Sequence, residues 1–231
     1  MTLEDIQAGK VLLVDKPLDW TSFQAVNKIK FALKREFKLK KIKVGHAGTL
    51  DPKATGLLIV CTGKATKEIS KIQDAPKEYR ASVKLGVQTE SYDTEKPEIN
   101  PKDISHLTEA QILDVLKTFE GEIMQTPPIF SALKVEGKRA YDLAREGKVV
   151  EMKSRPTTIH YLDQIEIDLP FVHFRVGCSK GTYIRSLAHD IGQALEVGGY
   201  LTSLRRTKIG QYDVGNALTS ILEPEFEFTT A

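Results

Sequence analysis

The chain has little cysteine: Cys61 and Cys178 are the two in 231 residues. They have no metal-ligand spacing and no disulfide framework around them. Both sit in apolar segments, so the expectation is two small core residues in a reducing, cytoplasmic setting. No apolar run reaches the ~18 residues of a membrane span. The start, Met1-Thr2-Leu3-Glu4-Asp5, lacks the basic residues and apolar core of a secretory signal. The five histidines form no ligand cluster, and no metal is expected. Internal repeats and low-complexity tracts are absent from the sequence. Net charge is only +2.

What is present is an ordinary globular composition, 41% hydrophobic and 28% charged. The length suits one large domain or two small ones. Charge is unevenly placed. Residues 28–43 carry Lys28, Lys30, Lys34, Arg35, Lys38, Lys40, Lys41 and Lys43 against Glu36 alone. Residues 90–109 lean acidic through Glu90, Asp93, Glu95, Glu98, Asp103 and Glu109. A dense basic cluster is the footprint of a phosphate-binding surface, and also the look of a solvated helix face.

Residues 10–14 read as a short buried strand ended by Asp15-Lys16-Pro17. Thr21 or Ser22 caps a helix with Phe23, Val26, Ile29, Leu33 and Phe37 at helical spacing. A glycine-bounded loop follows, then an apolar strand over 57–61 and a short helix over 65–72. Residues 79–85 alternate as a half-buried strand. Residues 90–102 read as a long surface connection. Thr108 and Gln111 form a capping box for the next helix. A helix is expected over 138–146, ended by Gly147. Strands are expected over 157–167 and 171–178, and a helix with Ile184, Leu187, Ala188, Ile191 and Leu195 inward. A strand-like segment over 201–214 and a short helix over 216–222 complete the pattern. Without regular βαβ alternation, this is an α+β chain whose sheet is mixed and largely antiparallel, with flanking helices.

The most informative stretch is Gly45–Gly63. It puts one carboxylate, Asp51, in a short loop before the apolar run, followed by Pro52, which fixes its own φ. By turn chemistry alone this is an Asp-Pro turn. It stands in company with Lys77-Glu78-Tyr79-Arg80, with Pro127-Pro128-Ile129-Phe130-Ser131-Ala132-Leu133-Lys134, and with Ser179-Lys180-Gly181-Thr182-Tyr183-Ile184-Arg185. In order and spacing these four blocks resemble the TruB family of tRNA pseudouridine synthases. The pattern G-x-L-D-P-x-A-x-G-x-L is matched by Gly48 through Leu58. The resemblance runs from about Gly9 to Val214.

The resemblance implies a pseudouridine synthase catalytic domain over 9–214. It implies conversion of uridine 55 in the T-loop of tRNA to pseudouridine, with the target base flipped out and no cofactor. Asp51 matches the catalytic nucleophile, Arg185 the arginine that pairs with it, and Tyr79 the tyrosine that stacks on the base. Tyr183 and Leu204 would line the base pocket. His46 matches a histidine that contacts the T-loop, although Ala47 replaces the threonine that usually follows it. Lys64, Lys77, Arg80, Lys134, Lys180, Arg205 and Arg206 are candidates for holding RNA phosphates. Many relatives continue into a PUA domain. Here residues 215–231 are expected to be a short tail, and the 28–43 cluster to supply part of the missing affinity. The implied partner is the tRNA T-stem-loop, with no membrane and no second subunit. Two rival readings differ in outcome: a catalytically silent RNA-binding module or tRNA chaperone, and a glycosylase that releases the base.

Overall fold

The strand Ala54–Thr62 is apolar over most of its length because it is covered on both faces. Leu58 and Val60 pack with Val14, Ala25, Val26, Ile29 and Leu33. Leu57, Ile59 and Cys61 face the other way, toward Ala47, Ile72 and Ile209. The computed structural model describes residues 2–131, 133–135, 137–140, 143 and 151–218.

In chain order the elements are α1 (Leu3–Ala8), β1 (Val11–Lys16), α2 (Ser22–Glu36), β2 (Val44–Ala47), β3 (Ala54–Thr62), α3 (Ile69–Asp74) and β4 (Lys77–Leu85). There follow β5 (Gln88–Thr89), β6 (Glu98–Ile99), α4 (Glu109–Thr118), β7 (Gly121–Gln125), β8 (Lys134–Val135) and β9 (Lys138–Arg139). The last are β10 (Arg155–Asp168), β11 (Phe171–Cys178), α5 (Ile184–Ala194), β12 (Gly199–Ile209) and β13 (Tyr212–Asp213). Contacts divide the chain into two units. One is built from residues up to Tyr79 and from Leu204 onward, the other from Arg80–Ser203. Strands β4 and β12 contribute residues to both.

In the first unit β1 and β2 pair antiparallel with β3, and β13 with β12. The β3–β12 pair is parallel, with Leu204 opposite Ala54 and Arg206 opposite Gly56. Helix α2 starts where expected. Thr21 Oγ1 accepts from the Gln24 amide at 3.1 Å, and Gln24 Oε1 accepts from the Thr21 amide at 2.8 Å. In the second unit β7, β10 and β11 form an antiparallel run. Val172, Phe174, Val176 and Cys178 are buried, as their alternation predicts. Helix α5 buries Ile184, Leu187, Ala188 and Ile191. The result is α+β, with a mostly antiparallel sheet and flanking helices.

Several expectations are corrected. Phe23 is 69% exposed, and Ala25 takes the inward place on α2 beside Val26, Ile29 and Leu33. The first turn of the helix points Phe23 away from the sheet. The 90–102 stretch is not simply a surface connection: Ser91 and Asp93 are buried, and β5 pairs with β6 across it. The strand expected over 201–214 ends at Ile209, and the chain reverses at Gly210 into β13. The helix expected over 138–146 lies largely outside the described residues, and Lys138–Arg139 pair with Lys134–Val135 as strand. Most of the helix expected over 216–222, like most of the 215–231 tail, is also outside them.

One close approach explains a fixed glycine. Gly56 has φ +99°, and a Cβ there would stand 2.3 Å from the Arg206 backbone oxygen. Both the conformation and the space demand glycine. Gly56→Ala should therefore cost about 3 kcal/mol or more in urea denaturation. A midpoint within error of the parent protein would show that the β3–β12 seam can open without penalty.

Candidate active site

Asp51 sits half-buried in the loop 48–53 that joins β2 to β3. The loop is tied down on both sides. Ser22, the first residue of α2, donates through Oγ to Leu50 O at 3.1 Å and accepts from the Leu50 amide at 2.9 Å. Leu50 is itself buried. The Ala54 amide donates to Asp51 O at 3.1 Å, and the Asp19 amide to Pro52 O at 2.9 Å. Lys53 Nζ meets Asp19 Oδ1 at 2.7 Å. A carboxylate between such anchors has a backbone that is fixed before any substrate arrives.

Arg206 makes the deepest anchor. It is 1% exposed. Its Nε donates to Leu57 O at 2.8 Å, Nη2 to Gly48 O at 3.0 Å and Nη1 to Thr49 O at 3.4 Å. This corrects the expectation that Arg206 holds a phosphate. Its guanidinium is turned inward and spent on loop carbonyls. Arg205, on the same strand, forms a bidentate pair with Asp15 at 2.9 and 2.6 Å. It keeps some exposure, so a phosphate there would compete with Asp15.

Lys16 is a residue that motif reading missed. It lies opposite Gly56 in the β1–β3 register, and Gly56 lies opposite Arg206. Lys16, Gly56 and Arg206 thus form one row across three strands. The lysine is fully buried, and Nζ donates to Pro17 O at 2.8 Å and Trp20 O at 2.6 Å. Burial pushes its pKa down from 10.5 to about 8; Asp51 and Asp19 pull it back up, and Arg206 pushes it lower. A lysine directly before proline at a strand end was the available signal. It reads as a surface strand terminus unless the pairing partners are known.

His46 lies in β2, half-buried, and its Nδ1 has no hydrogen-bond partner. Burial, then the Arg206 charge, holds its pKa below 6.5, while a hydrogen bond involving the Gly48 backbone raises it. The ring is neutral at pH 7, which suits stacking rather than ion pairing. Tyr79 on β4 and Leu204 on β12 are both buried, and their strands are neighbours. Thr207 Oγ1 joins those strands by donating to Glu78 Oε1 at 2.7 Å. Lys64 is exposed. Lys77 Nζ donates to Gln73 O.

In the second unit Arg185 is buried at the start of α5. Nη1 lies 3.7 Å from Asp93 Oδ2 and 3.3 Å from Ser91 O, and Nη2 donates to Phe130 O at 3.0 Å. Asp93 is held in turn. Its Oδ1 accepts from Ser91 Oγ at 2.6 Å and from the Glu95 amide at 2.9 Å. Sequence reading missed Asp93, because an acidic, proline-containing stretch carries no sign of burial. Tyr183 precedes α5. Gln125 clamps its backbone, accepting from its amide at 2.7 Å and donating to its carbonyl at 3.0 Å. The Arg155 guanidinium lies 5.2 Å from its ring centroid. Arg80 and Lys180 are exposed, and Lys134 lies in β8. Among the described residues no group of three or more His, Cys, Asp or Glu is placed to hold a metal. None of their helices is long and apolar enough to cross a membrane.

Residues 34–184 match the family model described as TruB family pseudouridylate synthase (N terminal domain). Residues 185–223 match the tRNA pseudouridylate synthase B C-terminal domain. A protein of Flavobacterium johnsoniae named tRNA pseudouridine synthase B is 54% identical over 226 residues, 97% of this chain and 99% of that one. One of the same name from Parabacteroides distasonis is 56% identical over 207 residues, 90% and 88% of the two chains. A solved H/ACA RNP bound to a substrate RNA containing 2′-deoxyuridine includes a similar chain, with TM-score 0.67 and 34% identity. That match covers 93% of this chain and about half, 51%, of the other.

The buried lysine yields a pH prediction. Its pKa is 10.5 when unfolded and about 8 when folded. Between these values the unfolded state binds more protons, so stability rises with pH across this window. Relative to Lys16→Met, the parent protein should gain stability from about pH 8 to pH 10.5. Parallel stability curves for the two proteins over that range would contradict the burial of a charged Lys16.

Proposed function

This chain belongs to the TruB family of pseudouridine synthases, and we propose that it converts uridine 55 in the T-loop of tRNA to pseudouridine, as a cytoplasmic monomer. The supporting observation is the single carboxylate of Asp51, held between the Ser22 and Arg206 anchors in a loop that carries the family pattern.

In the reaction the bond between uracil N1 and ribose C1′ breaks and a bond between C5 and C1′ forms. N1 takes up a proton and C5 loses one. Nothing is oxidised and no group is transferred from outside, so no cofactor is required. The demanding event is departure of uracil from the sugar. An aspartate nucleophile supports it by stabilising or capturing electron-deficient carbon, as carboxylates do in glycoside chemistry. The positive row of Lys16 and Arg206 lies behind the loop that carries Asp51. Tyr79 and Leu204 present a buried ring and an apolar surface for the flipped base. As the family resemblance implies, Tyr183 offers a ring to a base, and His46 stacks against the T-loop. Arg185 keeps the supporting role that the family resemblance gives it, and Asp93 positions it inside the second unit.

Incubation with an unmodified T-arm RNA labelled with tritium at uracil C5 tests the reading. Isomerisation releases tritium to water. Free uracil would mean a glycosylase, and binding without either product would mean an RNA-binding module. Asp51→Asn should abolish release while RNA binding persists; measurable turnover in that variant would sink the assignment. Asp93→Asn removes a negative charge beside Arg185 and should lower kcat about tenfold or more, with KM for RNA little changed. An unaltered kcat would remove Asp93 from the positioning role.

A further inference from the structure

Helix α2 ends in a reversal that gathers positive charge around a concavity. Lys38 takes a left-handed conformation, φ +50°, and the Leu39 amide donates back to Lys34 O at 3.0 Å. The chain then returns beside the helix it has just left. The resulting cleft, of about 540 Å³, is lined by Lys30, Lys34, Lys40, Lys41, Lys43 and Ile42. Among the described residues none of these lysines enters an ion pair.

A helix dipole explains part of this pattern. Cations in the last turn, such as Lys34 and Arg35, complement the negative end of the helix. It does not explain Lys40, Lys41 and Lys43, which lie beyond the helix and converge on the same cleft. Their backbone is fixed. Ile42 and Phe37 pack on the core beside Leu33, and Lys43 O accepts from the Gly63 amide at 3.0 Å. Five like charges held around one concavity repel one another, and a polyanion relieves that repulsion. Phe31, 68% exposed, lies one turn from Lys34 on the helix surface, where a ring can stack on a base or ribose.

The position separates this cleft from the catalytic loop. Ser22, which pins Leu50, begins α2; Lys34 is twelve residues further on, ~18 Å along the axis at the helical rise. A nucleotide reacting at Asp51 does not reach it. From Lys43, however, the chain runs straight into β2 and His46, ~10 Å on at the strand rise. We propose that the cleft is a second RNA-contact site, which takes the sugar–phosphate backbone of tRNA outside the reacting loop. The proposal rests on the reading that tRNA is the substrate. It also narrows the residues that matter, since Lys38 is not among those lining the cleft.

The test replaces Lys34, Lys40, Lys41 and Lys43 together by glutamine in the full chain. Filter binding to an unmodified tRNA transcript is measured across a salt series, alongside tritium release and thermal unfolding. The expected result is about tenfold weaker binding at ~0.1 M salt and a shallower salt dependence, by roughly 0.7–0.9 in log–log slope per lost contact. KM for tRNA should rise by a similar factor while kcat at saturation stays the same. The corresponding four arginine substitutions should restore affinity, which separates charge from folding. Unchanged affinity and slope in the glutamine variant would overturn the proposal, and so would failure of the arginine variant to restore binding. Loss of binding to anionic phospholipid vesicles with tRNA binding intact would overturn it in favour of a membrane surface. Tritium release by the parent with lysine-independent binding removes the cleft and leaves the enzyme. Lysine-dependent tRNA binding without tritium release removes the enzyme reading and leaves the cleft.

Discussion

A buried guanidinium holds the Asp51 loop in place. Arg206 rises from β12 and spends its donors on Leu57 at the start of the apolar strand and on Gly48 and Thr49 in the loop before it. Hydrogen bonds from a charged donor contribute about 1.5–3 kcal/mol each, and an uncompensated buried charge costs several. The loop carbonyls are therefore held where the arginine needs them. Gly56 lets this happen, because a side chain at that position would occupy the space of the Arg206 backbone. The two glycines of the motif thus have different tasks. Gly48 permits a positive φ at the loop entrance, and Gly56 permits the close approach of two strands.

The same row sets the electrostatics behind the carboxylate. Lys16 and Arg206 flank Gly56, so two cations share one buried layer, and the arginine disfavours charge on the lysine. Asp51 and Asp19 offset that cost for the lysine. An acid in this loop therefore complements charge already in the scaffold. In the second unit a different buried cation, Arg185, has a comparable setting, which includes the Asp93 carboxylate and the Ser91 and Phe130 carbonyls. In both units arginine is used for its fixed fork of donors, which orders the backbone around it.

RNA recognition follows the opposite rule from catalysis here. Arg206 and Lys16, behind the Asp51 loop, are buried and aimed inward, whereas the candidate phosphate contacts Lys64, Arg80 and Lys180 are exposed. Arg206 moved from the second class to the first once its partners were known. The lysines after α2 stay in the second class, but a core-anchored loop fixes where they stand. Fixed charges lose less entropy on meeting a phosphate than charges on a free segment do.

Much of the fold was legible in the residues alone. The cap of α2 at Thr21 or Ser22, the capping box at Thr108, the alternation along β4 and β11, and the apolar face of α5 all follow from local periodicity and short-range hydrogen bonding, which a linear chain displays. Asp51 stood out only through the family resemblance of its pattern with Gly48, Pro52, Ala54 and Gly56, since turn chemistry alone reads it as an Asp-Pro turn. What sequence could not decide were the roles set by partners far along the chain. Arg206 lies 158 residues from Gly48, Lys16 meets its row only through β-register, and Asp93 is buried inside a stretch with surface composition. Composition and period specify which residues can be buried. Only tertiary packing decides which charged ones are, because that depends on carbonyls and counter-charges that distant segments bring to them.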